Sequence, residues 1–151
     1  MTFERIMSFG LTEPLNGSDA TGLQTTATKV DGGWVLNGEK KWPGNATIGD
    51  CIVWARNADD GNKIQGFYVE KGSKGFTTQR IERKYSLRGV HNANIKLENC
   101  FVPNKNKLTY AVDFATGTNA ILEASRLMVA WLGCGCATGA YEAALKYCLN
   151  R

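Results

Sequence analysis

Thr12, Glu13 and Pro14 stand five residues ahead of Gly17, Ser18 and Asp19, and between them the chain reads Leu15-Asn16. A hydroxyl, an acid and a proline corner followed by a small Gly-Ser-Asp turn can serve two kinds of ligand. Pro14 fixes its own φ and drives Glu13 into extended geometry, so the Thr12 hydroxyl sits at a strand end where it can hydrogen-bond a heterocycle. Gly17 lets the backbone approach a ligand closely, and Ser18 with its neighbouring amides can donate to anionic oxygens. The same residues also make an ordinary strand and turn, with Thr12 bonded to a neighbouring amide and Ser18 capping the turn.

Four other positions carry chemistry by residue type. Trp42 offers a flat apolar face and one N–H donor, or alternatively plugs a core. Arg126 can fork onto phosphate or stack on a purine, or stay solvated on a helix. His91 is the one histidine and reads as a surface loop residue. Glu123 is a carboxylate on a helical stretch, two residues before Ser125 and so on a different face.

The text FGLTEPLNGSD (9–19) resembles the A-x-T-E-P-x-x-G-S-D signature of the acyl-CoA dehydrogenase superfamily. The resemblance continues in order through Trp34-Val35-Leu36-Asn37-Gly38-Glu39-Lys40-Lys41-Trp42, Ile52-Val53-Trp54-Ala55-Arg56, Gly66-Phe67 and Asn99-Cys100-Phe101-Val102-Pro103. Within the superfamily the chain is most similar to glutaryl-CoA dehydrogenases and to peroxisomal short-chain acyl-CoA oxidases. The oxidase likeness rests on TTATKVDGGW, on Trp42-Pro43-Gly44-Asn45 and on Ser125-Arg126-Leu127-Met128-Val129-Ala130-Trp131.

The resemblance implies FAD as cofactor, with Phe9, Leu11 and Thr12 contacting the flavin ring and Trp42 lying beside it. It implies that Gly17-Ser18 serves the FAD pyrophosphate or the CoA arm, and that Arg126 lies near the acyl-CoA nucleotide. Where relatives carry Trp-Ile-Thr, this chain has Trp42-Pro43-Gly44. Gly44 keeps an amide but no hydroxyl, as in the peroxisomal oxidase branch, and Pro43 removes an N–H. Flavin-dependent α,β-oxidation of a short acyl-CoA to the trans-2-enoyl-CoA needs a carboxylate base. In most relatives that base lies further along the chain; in a minority it falls at the position of Ser125, so no catalytic base is expected here. The acceptor would be an electron-transfer flavoprotein or oxygen, the whole enzyme a homo-oligomer, and its address the peroxisome or mitochondrial matrix. The alternative is a shortened paralogue, without catalysis, acting as a binding or assembly subunit.

These residues need elements to hold them. The expected fold is mainly β: a small antiparallel barrel or sandwich over 9–112, followed by one long helix that begins a helical bundle over 113–151. Residues 1–8 would be the remnant of a preceding helical domain. Strands are predicted at Gln24–Val30, Trp34–Leu36, Cys51–Arg56, Ile64–Glu70, Phe76–Ile81 and Ala93–Leu97, with Asp31-Gly32-Gly33 as a turn and Asn37-Gly38 as the strongest hairpin signal. From 119 to 150 apolar residues recur at three- and four-residue steps, predicting a helix about 48 Å long, capped by Thr118 or Asn119. It is apolar on every side from Leu127 to Tyr141, which calls for burial all round.

The 151 residues are 43% hydrophobic and 21% charged, the size and make-up of one ordinary domain. A net charge of +4, with four basic residues in the densest run (Arg80, Arg83, Lys84, Arg88), argues against nucleic acid. The longest uncharged run, Leu127 to Tyr141, has 15 residues and is short for a bilayer span. Five cysteines without paired spacing and a single histidine argue against a disulfide framework or a zinc site.

Overall fold

The computed structural model describes residues 4–151, which divide into two units on either side of the Gly117–Thr118 bond. The first holds seven strands: β1 (Met7–Gly10), β2 (Thr26–Val30), β3 (Gly33–Gly44), β4 (Asp50–Asn57), β5 (Lys63–Val69), β6 (Phe76–Arg80) and β7 (Asn92–Pro103). They form one sheet in the order β1-β4-β2-β3-β7-β6, with β5 along β4. Most pairs are antiparallel, as expected. However, β1 and β2 both lie parallel to β4, at Asp50–Val53 and at Arg56–Asn57 respectively, so the sheet is mixed. The segment after β7 returns to β5, where the Leu108 N–H donates to the Gly66 carbonyl at 2.9 Å, and the sheet curls partway into a barrel.

Alternation explains the strands. In β7, Ala93, Ile95 and Leu97 are buried, then Cys100 and Val102, so the period-two phase slips once at Glu98-Asn99. A β-bulge absorbs the slip: Leu36 faces Cys100 while Gly38 faces Leu97, and Asn99 takes φ 49° with its N–H held by Asn37 Oδ1 at 2.8 Å. Asn37-Gly38 therefore makes no hairpin. It lies inside a continuous twelve-residue strand that carries the predicted Trp34–Leu36 strand on through Trp42 to Gly44. Turn chemistry is the wrong reading here because the asparagine bridges to a bulge and the glycine makes room for a neighbour. The turn that does form is Asp31-Gly32, with Gly32 at φ 72°.

β1 begins at Met7, so residues 7 and 8 belong to the sheet. Asp50 anchors it: Ser8 Oγ donates to the Asp50 carbonyl at 2.9 Å, and Arg5 and Tyr68 both donate to the Asp50 carboxylate, at 3.2 and 2.6 Å. Burial would raise that carboxyl's pKa, but the Lys71 N–H, Tyr68 and Arg5 outweigh it and hold it below the usual range. The core combines Trp34, Leu36, Val53, Phe67, Ile95 and Val102.

All five cysteines are free thiols; Cys51 and Cys100 are buried, and Cys134, Cys136 and Cys148 are exposed. Burial pushes the Cys51 and Cys100 thiols up to about 11. The thiolate is the nucleophile, so alkylation of the native chain near neutral pH is expected to modify three cysteines by intact mass, and five only after unfolding.

In the second unit α1 spans Ala120–Leu149, about 45 Å, close to the predicted limits. A π-turn at Ala115–Asn119 runs directly into it. Asn119 is consequently already helical and caps nothing; its side chain donates to Glu123 at 2.7 Å instead. Leu127, Met128, Val129, Trp131, Leu132 and Tyr141 are exposed around its circumference. The stretch Ala115–Leu149 is long and apolar enough to cross a membrane by length and composition, with a mean hydropathy of 1.3 over its best eighteen residues. The same pattern suits a helix that is buried on all sides in a bundle.

Candidate functional site

The Thr12-Glu13-Pro14 corner is held by a buried charge. On β3, Trp34, Leu36, Gly38 and Lys40 share the inner face, so Lys40 projects an ammonium into the interior. Its partner is Glu13, 27 residues earlier, at 2.8 Å; the two side chains are 0% and 6% exposed. The Glu13 carboxylate also accepts from the Gln24 N–H at 2.6 Å, the Thr25 N–H at 2.9 Å and Thr25 Oγ1 at 2.5 Å. Burial raises its pKa, but these donors overcome it and keep the carboxyl below its ordinary value. Lys40 is pushed down by burial, with Glu13 opposing. Lys40 Nζ reaches the Leu11 carbonyl as well, at 3.2 Å. The acid of the motif is thus a structural clamp, a role that residue type alone does not reveal. The available signal is the parity of β3: a lysine on an apolar face demands an acid.

The clamp sets the two expected flavin positions side by side. The Lys41 N–H donates to the Thr12 carbonyl at 2.8 Å, placing Thr12 against the residue that precedes Trp42. Thr12 is half-buried. Among the described residues, its hydroxyl and the N–H groups of Leu11 and Thr12 have no hydrogen-bond partner. Backbone donors at a packed corner are rarely left unpaired, so these three suit a polar heterocycle edge. Phe9, on β1, packs its ring edge-on to Trp54 at 6.0 Å.

Trp42 is 47% exposed, so it does not plug the core. It lies on a second bulge, where Lys41 faces Asn94 and Gly44 faces Asn92, leaving Trp42 and Pro43 opposite Ala93. Pro43 therefore costs no ladder hydrogen bond, because a bulged residue has none to make. Trp42 takes φ 75°, a left-handed conformation unusual for an aromatic residue, and Lys41 Nζ stands 5.3 Å from its ring centroid. Gly44 closes the bulge. A groove of about 420 Å³ borders the corner, lined by Pro14, Glu39, Lys41, Gln79, Asn94 and Lys96 among others; neither Thr12 nor Trp42 lines it.

The remaining candidates fall elsewhere. Gly17 and Ser18 are exposed, and a Cβ at Gly17 would meet nothing. Asp19, not Ser18, caps the following turn, accepting from the Gly22 N–H at 3.1 Å. His91 is half-buried in the loop that enters β7, its carbonyl accepting from the Asn45 N–H at 2.9 Å. Arg126 is exposed on α1 in the second unit, next to the half-buried Ser125, which donates to the Leu122 carbonyl at 2.9 Å.

A family model described as the acyl-CoA dehydrogenase middle domain matches residues 8–100. The chain belongs to the acyl-CoA dehydrogenase family. Over 98% of its length it is 33% identical to benzylmalonyl-CoA dehydrogenase of Aromatoleum aromaticum. Over 70% it is 39% identical to the mitochondrial isovaleryl-CoA dehydrogenase of Arabidopsis thaliana. Among solved structures it is similar to a glutaryl-CoA dehydrogenase from Mycobacterium smegmatis in complex with FADH2, with a TM-score of 0.70 and 38% identity over 74% of this chain. The glutaryl-CoA dehydrogenase likeness read from the sequence is met. This acyl-CoA dehydrogenase family chain spans 40%, 26% and 28% of those three proteins.

Proposed function

We propose that the first unit is the flavin platform of an FAD-dependent acyl-CoA oxidoreductase. The observation that carries this is the Lys41 to Thr12 hydrogen bond, which makes the motif corner and the Trp42 strand neighbours while leaving donors on Leu11 and Thr12 free. Those donors and the Thr12 hydroxyl would hold the polar edge of the ring. Phe9 and the Gly44 amide would border it, and the exposed indole of Trp42 would lie beside it. Gly17 and Ser18 would meet the pyrophosphate or the CoA arm, and Arg126 the CoA nucleotide. Bound FAD would supply the two-electron acceptor for α,β-dehydrogenation of a short acyl-CoA. The chain's own contribution is binding and orientation, because Glu13, the carboxylate at the corner, is saturated by four donors and is not available to take a substrate proton. That saturation equally favours a second reading, a non-catalytic binding or assembly subunit.

In the enzyme reading, electrons pass to an electron-transfer flavoprotein or to oxygen, and the whole protein is a homo-oligomer. A mitochondrial matrix address follows the plant isovaleryl-CoA dehydrogenases; the oxidase-like residues favour a peroxisome.

The test is an amide NMR titration of the labelled chain with FAD and with FMN. Saturable shifts are expected at Leu11, Thr12, Trp42 and Gly44, with Thr12→Val weakening binding about tenfold, the worth of one hydrogen bond. Shifts confined to the groove beside Pro14, or an unchanged affinity in Thr12→Val, refute the platform. Flavin binding by the chain without turnover when joined to the rest of a relative would select the second reading.

A further inference from the structure

The geometry points to Asn92, locked by Lys84, as the positioning residue that aims the Trp42 indole. Trp42 is held in its left-handed conformation from outside its own strand. Its carbonyl accepts from Asn92 Nδ2 at 2.5 Å. The opposite end of that amide, Oδ1, accepts from Lys84 Nζ. Lys84 is itself fixed, because the same ammonium donates to the Leu87 carbonyl at 2.8 Å and to the Val90 carbonyl at 2.7 Å. The Asn92 backbone is pinned at both groups: its N–H donates to the Val90 carbonyl at 3.0 Å and its carbonyl accepts from the Ile81 N–H at 2.9 Å.

The chemistry admits one orientation of the Asn92 amide. Turned over, it would set an NH2 group against an ammonium and a carbonyl against a carbonyl. The Trp42–Pro43 peptide plane is therefore held on one side by Asn92, and on the other by Pro43, whose φ is fixed by its ring. A bulge with a held peptide plane dictates where the Cα–Cβ bond points, and re-aiming a side chain is what bulges beside sites do. An alanine at this position has neither the donor nor the acceptor of this bridge. Lys41 covers one face of the indole by cation–π contact. The relay of Lys84, Asn92 and the Trp42 carbonyl thus decides which face of the ring is offered. It deepens the flavin-platform reading, but the aiming itself can be read without flavin.

The experiment uses the full chain labelled with fluorotryptophan, whose four resonances are assigned by single Trp→Phe variants. In Asn92→Ala the Trp42 resonance is expected to move and broaden while those of Trp34, Trp54 and Trp131 stay in place. Lys84→Met, which removes only the far end of the relay, is expected to move the same resonance by a smaller amount. Should Asn92→Ala fail to fold, Lys84→Met and the size-conserving Asn92→Asp carry the test, since the latter would set a carboxylate oxygen against the Trp42 carbonyl. In a flavin titration Asn92→Ala is expected to weaken binding about tenfold relative to the parent chain, and to have no effect in a Trp42→Gly background. A Trp42 resonance unmoved in a folded Asn92 variant and in Lys84→Met overturns the relay. A resonance that moves in a chain with no flavin affinity upholds the relay and refutes the platform.

Discussion

Glu13→Gln is expected to destabilise the β-rich unit by about 3–5 kcal/mol, because it leaves the buried Lys40 ammonium without a counter-charge and sets an amide NH2 against a backbone N–H that the carboxylate now accepts from. Lys40→Met should cost less, since the Glu13 carboxylate keeps its bonds from Gln24 and Thr25. The double variant should recover much of the loss, because no unpaired charge is then left buried. Urea unfolding midpoints, followed by the tryptophans of the β-rich unit, measure all three. If Glu13→Gln unfolds within about 1 kcal/mol of the parent, the pair does not clamp the corner.

The pH dependence carries the same signature. The folded Glu13 carboxyl titrates below its ordinary value of 4.5, so the ionised form is favoured in the folded state. Its contribution to stability is complete above the unfolded value and fades as pH falls through the lower, folded one. The gap between parent and Glu13→Gln should accordingly be constant at neutral pH and narrow progressively below about pH 4.5. A gap that widens on acidification would reverse the assignment.

Gly38→Ala is the second large effect, expected at about 3 kcal/mol. Gly38 has φ 147°, and a Cβ there would lie 2.5 Å from Thr25 Oγ1 and 2.8 Å from the Thr25 Cα. Thr25 cannot yield cheaply, since its N–H and hydroxyl both hold Glu13. The substitution therefore strains β3 and pulls on the corner together, and its cost should not simply add to that of Glu13→Gln. Gly61→Ala and Gly72→Ala make useful controls. Both have positive φ with open space around the missing Cβ, so each should lose only about 1 kcal/mol.

Family membership and the β-then-helix order were legible because both are written locally. The Thr-Glu-Pro and Gly-Ser-Asp text is contiguous. A short apolar run bounded by Asp50 and the polar loop 57–63 marks β4, β5 is its partner across that loop, and alternation marks the first half of β7 up to Leu97. Asn37-Gly38 was not legible. Its composition is that of a hairpin turn, and nothing near it reveals that Asn99 and Thr25 occupy the space on either side.

The amino-acid sequence by itself determined the cores of most strands, the long helix, and which stretch makes the motif corner, because hydrophobic period and turn chemistry act over a few residues. Only the tertiary structure decided that Glu13 answers Lys40, that Gly38 is a gap for Thr25, and that Asn92 holds the carbonyl of Trp42. Those pairs lie 27, 13 and 50 residues apart. Their meeting depends on strand register, and a register shifted by one residue would turn Lys40 out to solvent and leave Glu13 unanswered.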